Sequence, residues 1–250
     1  MKKDQFNDYI QEELAWRKHE ISQLMLIYHK LESTEVIAKS IILLLYAHWE
    51  GFIKKSCKLY IKYVSERKVK ISDLTVNFHA IVLQSFARRC IESDAQSLFY
   101  ELAFLKKQEK MLGKRFKIKV DLDNDFDKGI IDTKHNLSSK VLKNIIEVIG
   151  VKYNDAIKTR ENYINKNLLA NRNAIGHGSK LDDETLQDGA LEFEEIEKLK
   201  QFAITMLDYF ADVLMDYVDN EFFLVEHVKE RNEYENVKED ELRKRLEKFQ

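Results

Sequence analysis

The sequence predicts an all-α protein, a bundle of long helices, and three observations carry that prediction. The 250-residue chain contains no proline, where average usage near 5% would give about a dozen. Glycine is scarce as well, at 7, where about 17 would be average. Those two residues punctuate turns, so a chain poor in both has few tight turns, which argues against sandwiches, barrels and Gly-rich linkers. Finally, apolar residues recur at helical spacing along most of the length.

Taken in order, residues 3–32 read as the first helix, with Phe6, Ile10, Leu14, Ile21, Leu24 and Tyr28 on one face. Ser33 and Thr34 break it, and Thr34 is suited to cap the next helix. Residues 35–66 read as a central helix. Its stretch IILLLYAHW is apolar on every side, which a helix tolerates only when other helices surround it. Gly51 costs about 1 kcal/mol of helix propensity there, so close packing of a neighbour is expected. Lys58, Lys62, Glu66 and Arg67 then carry the helix out to solvent. From His79 to Lys110 the pattern is helical again, through Ile81, Phe86, Phe99, Leu102 and Leu105, with a break near Ser93.

An irregular or hairpin insertion is expected near 106–135. Residues 106–119 hold seven Lys or Arg and one Glu. RFKIKVDLD alternates polar and apolar with period two, the pattern of a short strand. The acidic run DLDNDFDKG resembles a calcium loop only superficially. Phe126 stands where the sixth-position Gly belongs and Asp132 where the twelfth-position Glu belongs. SSKVLKNIIEVI (138–149) reads as a helix ended by Gly150, 155–175 as one ended by Gly176 and Gly178, and 192–218 as a strongly amphipathic helix. Residues 226–250 form a helical C-terminal extension with 15 charges, expected to project, pair with a partner or fray. No internal repeat appears, so a single helical domain over 1–250 is the expected organisation.

Charged residues make up 34% and hydrophobic ones 44%, and 41 basic residues face 43 acidic ones for a net charge of −2. Bulk attraction to nucleic acid or anionic membrane is therefore not expected, and any such attraction is local. Cys57 and Cys90 cannot build a disulfide framework or a four-ligand zinc site. The N-terminus carries no apolar signal region, and the longest apolar run, Ile41 to Ala47, is seven residues, where a membrane span needs about 20. A cytoplasmic protein with reduced thiols and no membrane association is expected. His19, His29, His79, His135 and His227 show no metal-ligand spacing, and neither metal nor cofactor is expected.

One segment differs from the rest. ENYINKNLLANRNAIGHGSK (161–180) places Arg172, Asn173, Gly176, His177 and Gly178 within seven residues. On a helical wheel Ile157, Ile164, Leu168 and Ile175 define the buried stripe, and Arg172 falls about 40° from Leu168, beside it. A guanidinium there must be paired or face a polar cleft. Five residues on, His177 would lie about 140° from Arg172 in a continuous helix. The two can share a ligand only if the helix stops near Gly176 and the chain turns. A Gly-terminated helix with a capping His is the purely structural alternative.

RNAIGHG, preceded by INKNLLA, resembles the Arg-x4-6-His motif of the HEPN superfamily, helical proteins that include many metal-independent ribonucleases. LLLYAHWEGFIKK (43–55) is similar to the second helix of a bacterial MAE-type, RiboL-PSP-HEPN-like subgroup, and the order of elements agrees over about residues 35–220. The subgroup usually has Ala where this chain has Gly176. The resemblance implies a HEPN-like helical bundle, an RNase of toxin–antitoxin or anti-phage systems acting as a homodimer, and active-site positions at Arg172, Asn173 and His177. An antitoxin or other defence protein is the implied partner, besides the RNA substrate.

The residue types suit that reaction independently. Metal-free RNA cleavage deprotonates the 2′-OH, protonates the 5′-O and stabilises a dianionic phosphorane. His titrates near neutrality and performs acid–base work. Arg stays charged and clamps phosphate oxygens as charge develops. Asn positions partners by neutral hydrogen bonds. One His cannot easily serve both faces of an in-line displacement, and a two-fold dimer supplies a second. Of the remaining candidates, Glu50 is expected to pair with Arg172 or orient His177, with His48 beside it in the central helix. Lys106, Lys107, Lys110, Lys114, Arg115, Lys117, Lys119 and Lys180, with Phe116 and Tyr100 nearby, are candidates to track an RNA backbone. The alternative functions are a non-catalytic RNA- or nucleotide-binding module of the same fold, or a protein-interaction component of a defence complex.

Overall fold

The computed structural model describes residues 1–30, 35–92, 98–122, 129–133, 136–178 and 193–249. Ser33, Thr34, Ser93, Phe126, His135 and Lys180 lie outside the described residues. The helices are α1 (Lys3–Lys30), α2 (Glu35–Arg67), α3 (Val76–Ile91), α4 (Phe99–Leu112), α5 (Ser139–Val148), α6 (Asp155–Lys158), α7 (Glu161–Tyr163), α8 (Asn171–Gly176), α9 (Phe193–Asp219) and α10 (Val228–Leu246). Between α7 and α8, Ile164–Ala170 is a π-helix. Among the described residues no strand forms, so the chain is all-helical.

Helix α2 is the axis of the bundle. It is long and apolar enough to cross a membrane, and here it packs against α1 and α9, which also pack on each other. Trp49, Phe52, Ile53, Tyr60, Tyr63 and Val64 are fully buried along it. Gly51 sits where the Arg17 side chain crosses α2: a Cβ there would lie 3.4 Å from Arg17 Nη2, and Arg17 is held by Glu13 at 3.0 Å. The close neighbour is thus a buried arginine of α1. Lys58 departs from expectation. It is buried, and its Nζ donates to the Asp121 carbonyl at 3.1 Å.

Helices α3 and α4 form a helical hairpin, and α3 also touches α5. Ser138 caps α5 by accepting from the Val141 N–H, and Gly150 ends it at φ +80°. The expected strand over 115–123 is not built. Phe116 N–H donates to Val69 O and Ile71 N–H to Lys114 O, both at 2.8 Å, which amounts to one antiparallel bridge, Lys70 with Arg115. Ile118 then turns its backbone to Ser65, whose Oγ accepts from Ile118 N and donates to Ile118 O. A side chain of α2 takes the place of a partner strand.

The C-terminal helix does not project or fray. Helix α10 packs on α6 and α9, burying Leu242 and Leu246, with Phe249 buried just beyond its end. Tyr217 donates to Glu235, Tyr234 to Asp216 at 2.7 Å, and Lys152 pairs with Glu239 at 2.9 Å. The high charge of this helix hides three apolar residues at spacings of four and three, enough for one narrow buried seam.

Two glycines predict opposite outcomes in equilibrium unfolding. Gly51→Ala makes only van der Waals contact with Arg17 and gains helix propensity, so stability rises by up to about 1 kcal/mol. Gly150→Ala puts a Cβ 2.8 Å from Asn77 Oδ1 at a positive φ, so stability falls by at least about 1–2 kcal/mol.

Candidate active site

The expected helix over 155–175 is built from several pieces. Asn154 caps α6 by accepting from Ile157 N–H, and a turn at Thr159–Arg160 separates α6 from α7. The π segment then carries INKNLLA into α8. In π geometry each turn takes in an extra residue, so a uniform 100° wheel does not run through it. Ile157, Ile164 and Leu168 are buried as the wheel requires, but Ile175 is only half-buried and Asn171 is buried in addition. Asn165 pins the π segment to the start of α5, accepting from Ser139 N–H at 3.0 Å and donating to Ser139 Oγ at 2.8 Å.

Arg172 leaves α8 toward α2 and the segment before α5. Its Nη1 donates to Asn136 Oδ1 at 2.7 Å and to Asn173 Oδ1 at 2.9 Å. The guanidinium carbon lies 5.0 Å from the centroid of the Tyr46 ring, a cation–π distance. Among the described residues only Nη1 is hydrogen-bonded. The half-buried guanidinium is both paired and turned to a polar setting, as its position beside an apolar stripe demands.

Tyr46 does two things at once. Its hydroxyl accepts the Leu137 N–H at 2.6 Å, fixing the backbone next to Asn136, while its ring supports the guanidinium. It also donates to Glu50, one turn further along α2. Burial first, then the Glu50 charge, push its ionisation well above the usual phenol range, against the Leu137 bond and the Arg172 charge. Glu50 therefore joins the site through Tyr46. Among the described residues no direct Glu50–Arg172 ion pair forms, and no Glu50–His177 contact is found. Tyr46 and Asn136 are the members that sequence reading missed. The only signal was Tyr46 four residues before Glu50 on the helix closest to the motif.

Helix α8 ends at Gly176, where expected. His177 N–H still bonds to Asn173 O at 3.0 Å, and Gly178 at φ +81° turns the chain. A Cβ at Gly176 meets nothing within 4 Å, so an Ala fits there and the turn belongs to Gly178. The His177 side chain is exposed. Its ring makes no hydrogen bond to a described residue.

The other candidates fall elsewhere. His48 lies about 200° around α2 from Tyr46, faces α1, stacks edge-on with Trp16 and sits 3.2 Å from Glu20. It belongs to the α1–α2 contact and not to the site. The basic run is divided: Lys106, Lys107 and Lys110 lie on α4, while Lys114, Arg115, Lys117 and Lys119 are exposed on the extended segment. Phe116 is fully buried, 5.3 Å from the Phe78 ring, and is not available to a base.

Tyr46→Phe leaves the Leu137 N–H without its acceptor and is expected to cost about 1–3 kcal/mol in chemical unfolding. His48 gives a pH signature. Burial and the Arg17 charge lower its pKa from 6.5, outweighing Glu20. As pH falls below about 6.5 the unfolded chain binds the proton first, so stability contributed above that pH is lost on acidification. His48→Gln is expected to flatten the stability profile as pH falls below about 6.5.

A family model described as MAE_28990-like HEPN matches residues 6–223, a span that includes α2 and the whole of the Arg172–His177 motif. No curated protein matches the chain, and no solved structure does. The all-helical architecture and the family match agree, and the chain belongs to the HEPN family of the MAE_28990-like type.

Proposed function

We propose that this HEPN protein is a metal-independent endoribonuclease that cleaves RNA by attack of its own 2′-OH, and that it serves as a toxin or anti-phage component kept in check by a partner protein. One observation carries the reading: the Arg172 guanidinium is braced by Asn136, Asn173 and Tyr46, one turn before the Gly-terminated end that carries His177, and among the described residues only its Nη1 is hydrogen-bonded. A braced fork loses little entropy when it takes two phosphate oxygens.

In the reaction the 2′-O–H proton goes to a base, the 2′-O forms a bond to phosphorus, and the P–O5′ bond breaks as the 5′-O takes up a proton. Arg172 holds the non-bridging oxygens as their charge grows. His177 exchanges the proton, its exposed ring being reachable by a strand in solvent. Asn173 supports Arg172 through its carbonyl oxygen and turns its amide N–H groups to the ribose or phosphate. A two-fold homodimer brings a second His177 to the opposite face of the phosphorus.

Cleavage of RNA is expected to persist in a chelator. It is expected to fall to background in Arg172→Ala and His177→Ala, both of which alter side chains outside the core and keep the fold. Arg172→Lys is also expected to be poor, because a point charge cannot make the two-pronged clamp. Asn136→Ala, which touches only the brace, is expected to reduce turnover without abolishing it. Binding of RNA with no cleavage would favour the non-catalytic module instead. Sedimentation is expected to show a dimer, and full activity of a monomer would contradict the shared cleft.

A further inference from the structure

The helical hairpin of α3 and α4 holds a groove of about 380 Å³ far along the chain from the Arg172 motif. Its walls combine aromatic and basic side chains. Phe99 and Tyr100 are exposed at 65% and 39%, with ring centroids 5.4 Å apart and nearly perpendicular. Arg89 and Lys107 stand over the Phe86 ring at 5.3 and 4.5 Å. Lys106 and Lys110 complete the rim.

The charge on α4 is sorted by face. At 100° per residue Phe99, Tyr100, Ala103, Lys106, Lys107 and Lys110 fall within an arc of about 120°. Glu101 and Glu109 lie outside that arc, among Leu98, Leu102 and Leu105, and neither they nor Glu92 line the groove. A solvated helix with no partner has no need to separate its lysines from its glutamates in this way. The groove is also braced, because Cys90 Sγ lies 3.3 Å from Tyr100 O and ties the start of α4 to α3.

We propose that this groove is a docking site for single-stranded RNA, taking an unpaired base on Phe99 and Tyr100 and the flanking phosphates on Arg89, Lys106 and Lys110. Aromatic faces among cations are the means by which single strands are held without sequence preference. In a duplex the base faces are covered by their neighbours, so the aromatic part of the groove is of no use to it. The choice of RNA over other single strands rests on the nuclease reading of the Arg172 site. The groove thereby names the substrate form for that reaction: an unpaired stretch held away from the cleft while another part of the strand is cut.

The test uses the full chain carrying His177→Ala, so that RNA survives, with a labelled oligouridylate of about 12 nucleotides and a duplex of the same length, read by fluorescence anisotropy. The single strand is expected to bind more tightly than the duplex. Phe99→Ala with Tyr100→Ala is expected to weaken single-strand binding by roughly tenfold or more, with an unchanged melting temperature because both rings are exposed. As an independent variant, Lys106→Gln with Lys110→Gln is expected to flatten the slope of log affinity against log salt by about 1.4. The proposal is overturned if the aromatic double variant binds as the parent does, if the duplex binds equally well, or if the parent does not bind the single strand. Loss of self-association with RNA affinity unchanged would assign the groove to a second copy of the chain and overturn it too. A chain with His177 intact that cleaves RNA, and whose RNA affinity ignores Phe99 and Tyr100, refutes the groove alone. A chain that never cleaves RNA but needs both rings to bind it refutes the nuclease reading and supports the groove.

Discussion

Helix α2 cannot face water along most of its length, and that constraint dictates the placement of the other elements. Its apolar side chains require cover on nearly every side, which α1 and α9 supply. Several of its buried polar side chains find partners on neighbouring elements, while Trp49 Nε1, Tyr60 Oη and Tyr63 Oη have no hydrogen-bond partner among the described residues. His48 meets Glu20 of α1, Lys58 reaches the Asp121 carbonyl, and Ser65 takes both backbone groups of Ile118. Tyr46 holds Leu137 through its hydroxyl and Arg172 through its ring. Each of these polar groups on α2 thus meets a neighbour, and the segment carrying Arg172 is one of those neighbours. The candidate site is a consequence of how α2 is buried, since the residue that braces Arg172 is itself a core tyrosine, 3% exposed.

This arrangement orients a half-buried arginine without pairing it to a carboxylate among the described residues. Asn136 and Asn173 are neutral acceptors, so they orient the guanidinium without cancelling its charge. Glu50, the nearest carboxylate on α2, is engaged by the Tyr46 hydroxyl. A direct carboxylate pair would hold the fork just as firmly but would compete with phosphate. The π segment serves the same end. It is pinned to α5 through Asn165 and Ser139, so α5, the Asn136 segment and α8 form one connected unit, and the extra residue per turn resets the direction in which Arg172 leaves the helix.

Much of the fold was legible in the sequence because helix ends depend on local chemistry. The absence of proline, the all-round apolar stretch 41–49 and Gly150 as a stop each act within a few residues. The end at Gly176 was legible for the same reason. What escaped was non-local. Nothing near RFKIKV says that its partner is a serine side chain of α2 and not a strand, and an alternating pattern arises equally when Phe116 is buried and Ile118 half-buried while Lys117 between them faces solvent. The seam of Leu242, Leu246 and Phe249 was masked by surrounding charge. At the site, Arg172, Asn173 and His177 were legible as a local string, whereas Asn136 sits 36 residues away and is tied to Arg172 only by the folded chain. His48 and Glu50 looked alike in sequence, and two residues of helical rotation sent one to α1 and the other to Tyr46.

The central claim is that the attacking group belongs to the RNA and that Arg172 and His177 act on its phosphate. The most direct measurement is the chemistry of the cut ends on a defined oligonucleotide, compared with the same strand carrying a single 2′-deoxy residue at the cut. The account predicts a 2′,3′-cyclic phosphate, or its opened form, facing a 5′-hydroxyl, and no cutting at the deoxy position. Cutting at the deoxy position, or a 5′-phosphate product, would contradict it.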